Sequence, residues 1–134
     1  MATPSRRTPP ELVRAVCEGA AGAPAFVWDG AGANPYAQIL AHADAILVTG
    51  DSVNMVGEAT ATGAPVYVFE PSGGGGKIGR YVDALQRLGA VRRYGGRIEP
   101  FSYPPIDSSL TIAREIARRF AASKAGSPDK WRSG

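Results

Sequence analysis

The sequence predicts an α/β fold, a three-layer Rossmann-like parallel sheet with helices on both faces. Three observations carry that expectation. Apolar runs of strand type at residues 25–28, 45–48 and 66–69 alternate with segments whose apolar residues recur at helical spacing. The links between those runs are too long for hairpins, so successive strands join by crossovers and run parallel. The run Ala45-Ile46-Leu47-Val48 is continuously apolar rather than alternating, as in a strand covered on both faces.

The elements follow in chain order. Thr8-Pro9-Pro10-Glu11 has the form of a capping box, with Thr8 as N-cap and proline in the first turn. Leu12, Val13, Val16, Cys17 and Ala20 then recur on one face, which predicts a helix that buries them and makes Cys17 a structural thiol. Gly22 and Pro24 end it, and Ala25-Phe26-Val27-Trp28 reads as a short buried strand. A Gly/Asn-rich loop leads to Pro35 and a short helix with Tyr36, Ile39 and Leu40.

After the 45–48 strand, Thr49-Gly50-Asp51-Ser52 is a tight turn into a helix N-cap. That helix turns Val53, Val56, Ala59 and Thr60 inward and stops at Gly63, with Pro65 beyond. Val66-Tyr67-Val68-Phe69 is the next strand, and residues 73–76 form a glycine loop. From Lys77 a helix aligns Ile78, Tyr81, Val82, Leu85 and Leu88, ending at Gly89. Residues 92–105 read as irregular. Asp107 or Ser108 caps a last helix whose Leu110, Ala113, Ile116, Ala117 and Phe120 align inward. The expected domain covers residues 1–122, and 123–134 form a polar, flexible tail.

Composition removes several classes of function. The 134 residues fit one ordinary domain, and 44% hydrophobic with 20% charged residues is the balance of a globular chain. Seventeen glycines and eleven prolines without a fixed period argue for many loops and against collagen or coiled coil. No apolar run approaches the roughly 20 residues of a transmembrane helix, and no secretory signal opens the chain. A cytoplasmic location is the expectation. With one cysteine, Cys17, and one histidine, His42, neither an internal disulfide nor a conventional metal centre is expected, and no cofactor is implied. The net charge of +3 lacks basic runs interleaved with aromatics, which argues against a nucleic-acid partner.

In an open parallel sheet, ligands bind outside the carboxyl ends of the strands. That rule gathers residues 5–8, 29–34, 49–54 and 70–77 on one edge. The helix starting near Ser52 offers free backbone N–H groups to a phosphate. Glu58 lies six residues on, roughly 9 Å at 1.5 Å per residue, where a carboxylate could meet ribose hydroxyls. The plainer alternative is that Asp51 and Ser52 cap a helix and Glu58 is a solvated acid. A P-loop does not fit, because alignment on Gly76-Lys77 puts Pro71 at the first glycine and Ile78 at the hydroxyl position.

The run Asn34-Pro35-Tyr36, then residues 43–59 (ADAILVTGDSVNMVGEA), then 62–69 (TGAPVYVF), closely resembles the elongated-mitochondria (mitochondrial fission) family. Ser5-Arg6-Arg7-Thr8-Pro9 and Gly76-Lys77 fit the same pattern, so the resemblance covers roughly residues 4 to 120. The family has plant members acting in mitochondrial fission and many bacterial members, and it looks like the two-domain GT-B glycosyltransferases. The resemblance implies the C-terminal, donor-binding half of that fold without its first strand. It assigns Ser52, Val53 and Asn54, with Arg6 and Arg7, to a donor diphosphate, Glu58 to the ribose, and Asn34, Gly76 and Lys77 to loop contacts.

The function expected is therefore binding of a nucleotide sugar of UDP-sugar type, with no catalytic residue and no activity from this half alone. An N-terminal domain or a second copy would complete the cleft. The alternative is a ligand-free protein-interaction module of the same fold, in a fission-factor-like or assembly role.

Overall fold

The computed structural model describes residues 1–6, 8–70 and 76–125. The element order is α1 (Pro10–Gly19), α2 (Tyr36–His42), β1 (Ile46–Thr49), α3 (Val53–Thr60), β2 (Val66–Phe69), α4 (Gly76–Arg87), β3 (Val91–Arg93) and α5 (Ser108–Ala125). The chain divides into two compact units, Met1–Asp44 and Ala45–Gly134.

The second unit carries the α/β fold the sequence predicts, a three-stranded parallel sheet of order β1-β2-β3 flanked by helices. Ile46 pairs with Val66 and Val66 with Val91, so these three share one face, and Leu47, Tyr67 and Arg92 share the other. Both crossovers step the same way along the sheet, and right-handed connections put α3 and α4 on the same face. The two helices touch, since the Tyr81 hydroxyl lies 3.2 Å from where a Cβ on Gly57 would stand. Val56, Ala59, Val66, Val68, Val82, Leu85 and Val91 form the buried core. Gly89 ends α4 at φ +74°. There the Ala90 N–H reaches the Leu85 carbonyl and the Gly89 N–H the Gln86 carbonyl, both at 3.0 Å.

Above Tyr67 the sheet is closed by chain without regular structure. The Tyr67 hydroxyl donates to the Glu99 carbonyl and accepts the Glu99 N–H at 2.6 Å. Its ring meets Tyr94 and Phe101 edge-on, at centroid separations of 6.4 and 5.7 Å. The Arg92 guanidinium lies 4.4 Å from the Phe101 centroid. Further on, the Tyr103 hydroxyl donates to the Ala64 carbonyl at 2.8 Å and the Ile106 N–H to the Thr60 carbonyl at 3.1 Å.

Strand β3 falls at the start of the segment expected to be irregular. Val91-Arg92-Arg93 has one apolar residue, too few to signal a strand; its arginines are held instead by Phe101 on one face and by Glu70 and Asp83 on the other. Helix α5 begins as expected, with Asp107 Oδ1 accepting the Leu110 N–H at 2.8 Å. Its expected inward face is exposed, Leu110, Ile116 and Phe120 included. Glu115 pairs along the helix with Arg118 and Arg119, which supports α5 from its polar side.

The first unit departs further from expectation. No described residue of 1–44 is buried. Thr8 does not cap α1, because its Oγ1 accepts the Ser5 N–H at 2.8 Å and the N-cap is Pro9. Cys17 is exposed rather than a core thiol. The strand expected at 25–28 reduces to one parallel bridge between Ala2 and Val27, since Ala2 alone among the described residues pairs with it, through Phe26 O and Trp28 N.

Burial raises the Tyr81 and Tyr103 hydroxyls above their ordinary value of 10.0. The folded state thus holds these protons more tightly, so their contribution is fully present below pH 10 and is lost as pH rises through the folded values. Thermal unfolding between pH 9 and 11 should show a falling midpoint, with a shallower fall in Tyr103→Phe. That variant should also lose about 1 kcal/mol at neutral pH, from the hydrogen bond to Ala64. Parallel pH profiles for the two proteins would refute the assignment to Tyr103.

Candidate functional site

The carboxyl ends of all three strands carry polar groups that interlock. At the end of β1 the Gly50 N–H donates to the Phe69 carbonyl at 2.8 Å, one residue beyond the strand. A Cβ on Gly50 would stand 3.0 Å from Glu70 Cγ and 3.1 Å from Val68 Cγ1, so glycine admits the Glu70 stem over the turn. The Glu70 side chain is only 14% exposed. Its carboxylate is held through Oε2 by Arg93 from the end of β3, and Arg93 also reaches Asp83 of α4 at 2.6 Å. The hydrogen bond to Asp83, reinforced by the charges of both acids, raises the Arg93 pKa against a smaller opposing effect of burial. Arg93 is a cation at every accessible pH.

Next to Gly50, Ser52 caps α3 in extended conformation, its Oγ accepting the Met55 N–H at 3.4 Å. Its carbonyl takes the Val56 N–H at 3.2 Å, the first helical bond. The amides of Val53 and Asn54 precede any intrahelical acceptor, and both side chains are exposed. Two carboxylate oxygens are buried without a hydrogen-bond partner among the described residues, Asp51 Oδ1 and Glu70 Oε1. Helix-start donors without an intrahelical acceptor and, among the described residues, carboxylate oxygens without a donor thus lie at one sheet edge.

Ser52, Val53, Asn54 and Glu58 come together on α3, Ser52 buried and the other three exposed. Gly76 and Lys77 open α4, both exposed. The rest of the expected glycine loop, residues 71–75, lies outside the described residues. Arg6 and Asn34 belong to the first unit. Arg6 is exposed, and Asn34 Oδ1 accepts the Tyr36 N–H at 3.0 Å, the work of a local cap. Arg7 lies outside the described residues. His42 ends α2 and is exposed. Among the described residues, no three His, Cys, Asp or Glu side chains gather as a metal site.

Sequence reasoning missed Arg93 and Asp83. The crevice rule would have found Arg93 had β3 been recognised, since it is the last residue of that strand. Asp83 carries no such signal, being one acid on a helix surface.

A parallel sheet with polar groups gathered at its carboxyl ends defines a Rossmann-like α/β protein. The family model described as "Mitochondrial fission ELM1" matches residues 1–120, and the chain belongs to that family. It is 36% identical over 124 residues to the mitochondrial fission protein ELM1 of Arabidopsis thaliana, covering 90% of this chain and 29% of that protein. It is 30% identical over 120 residues to an uncharacterised protein of Rickettsia prowazekii, covering 84% of this chain and 34% of the other. The chain thus spans about a third of the length of these curated relatives. No solved structure matches it.

Gly50→Ala should be destabilising by about 1–3 kcal/mol, because the new methyl meets Glu70 and Val68 at overpacked distances. Urea titration should show a lower midpoint with an unchanged slope. A midpoint equal to that of the parent would mean that Glu70 moves aside without penalty.

Proposed function

We propose that the carboxyl edge of the second unit binds the nucleoside diphosphate part of a nucleotide sugar, of UDP-sugar type, in a GT-B-like donor-binding half that does no chemistry alone. One observation carries the reading. The first-turn amides of α3, which have no intrahelical acceptor, and two buried carboxylate oxygens without donors among the described residues, Asp51 Oδ1 and Glu70 Oε1, lie at the same sheet edge. The helix start suits a diphosphate, and the carboxylates suit hydroxyl or amide donors of sugar and base. In this reading Ser52, Val53 and Asn54 meet the diphosphate, Glu58 the ribose, and Gly76 and Lys77 the outer part of the ligand. Arg6, Arg7 and Asn34 enter it from the family resemblance alone. A further domain or a second copy would complete the cleft, and the protein would act from the cytoplasm.

The second reading is a protein-interaction module, in the fission-factor-like role that the Arabidopsis relative's name suggests. Its support is the exposure of Phe26 in the first unit and of Leu47 in the second, together with the lack of any buried described residue in 1–44.

Titration of the isotope-labelled chain with UDP and a UDP-sugar to millimolar concentration separates them. The first reading expects the amide signals of Ser52, Val53 and Asn54 to move, and Glu58→Ala to weaken binding roughly tenfold, the loss of one charged hydrogen bond. Signals that stay fixed throughout, with self-association in sedimentation, would hand the assignment to the second.

A further inference from the structure

We propose that α5 docks flat on an anionic lipid surface, with its apolar stripe against the acyl chains and its arginines at the headgroups. Leu110, Ile112 and Ile116 are 45%, 59% and 63% exposed, and no described side chain of the helix is buried. At 100° per residue, Leu110, Ala113, Ala117, Phe120, Ile116 and Ile112 fall within an arc of about 160°, which also takes in the positions of Ser109, Ser123 and Lys124. Arg114 borders that arc beside Leu110, and Arg119 borders it beside Ile112. Glu115 stays on the far side, engaged by Arg118 at 2.7 Å and by Arg119 at 2.8 Å. A largely apolar stripe with an arginine at each border is the pattern of a helix lying in the membrane interface; on docking, Arg119 would exchange its Glu115 partner for a phosphate.

Area argues against a second copy seated on this helix face alone. At 1.5 Å per residue the helix is about 27 Å long and about 10 Å across, so one face paired with another buries on the order of 500 Å². A specific protein interface needs about 1,000 Å². A lipid surface sets no such threshold, because each apolar side chain and each arginine adds its own increment. The overall charge of +3 favours approach to an anionic surface. No helix of the described residues is long and apolar enough to cross a membrane, so α5 lies on the bilayer rather than through it. Docking here is independent of ligand binding at the carboxyl edge.

Co-sedimentation of the full chain with vesicles tests the proposal, using phosphatidylcholine alone and phosphatidylcholine with one-third phosphatidylserine. The expected result is binding to the anionic vesicles that is roughly tenfold weaker on neutral ones and weakens as salt is raised. Ile112→Asp with Ile116→Asp should abolish it, and Arg114→Glu with Arg119→Glu should remove the preference for phosphatidylserine. All four positions are exposed, so the aspartate variant should keep the parent's circular dichroism and unfolding midpoint; the glutamate variant loses the Glu115–Arg119 pair, and circular dichroism checks that its helix persists. Absence of binding to either vesicle, or binding that survives the double aspartate variant, overturns the proposal. So does a dimer that the aspartate variant converts to monomer while vesicles stay unbound, which would assign the stripe to a second copy.

Discussion

The second unit is organised around one hydroxyl group. Tyr67 sits in the middle of the central strand, and a tyrosine there must bury its ring and still satisfy its oxygen. Glu99 does both halves of that task with its backbone, giving an N–H and taking an O–H. The segment from Tyr94 to Tyr103 is thereby fixed over the sheet without a helix or strand of its own. Phe101 and Tyr94 close on the ring, Arg92 closes on Phe101, and Tyr103 fastens the far end to Ala64. With that face of β2 sealed, the valines on the other can be wholly apolar, and α3 and α4 pack on them.

The same arrangement fixes the carboxyl edge. Because β2 is held between its neighbours, Glu70 leaves it in a set direction, over Gly50 and toward Arg93. Among the described residues the edge's unsatisfied groups are of two kinds, amides at the helix start and the carboxylate oxygens of Asp51 and Glu70. That mixture distinguishes it from a simple anion site, which would carry donors alone.

Much of this was legible in the sequence, and what was not has a physical reason. Strands β1 and β2 announce themselves because both are apolar runs bounded by turn residues. Helices α3 and α4 do so through their spacing and their terminal glycines. Ser52 was found as a cap because hydroxyl residues at that position are specific to helix starts. Strand β3 escaped because two of its three residues are arginines, and its place in the sheet depends on partners far away in the chain. Thr8 misled because its hydroxyl has a nearer claimant in Ser5 than the helix it precedes. The inward faces predicted for α1 and α5 rested on periodicity, which tells which residues share a side and nothing about what lies opposite. Among the site residues, Ser52 through Glu58 share one helix and were readable together, whereas the tie from Glu70 through Arg93 to Asp83 exists only in three dimensions.

The abrupt end of α4 has a mechanical meaning. Gly89 reverses the chain so sharply that β3 starts two residues later, leaving no slack between helix and strand. Arg93, at the far end of that strand, reaches back to Asp83 on the same helix, so the α4–β3 unit is braced at both ends like a closed frame. A twist imposed on α4 would therefore reach the carboxyl edge by two routes, through the backbone turn at Gly89 and through the Arg93–Asp83 pair.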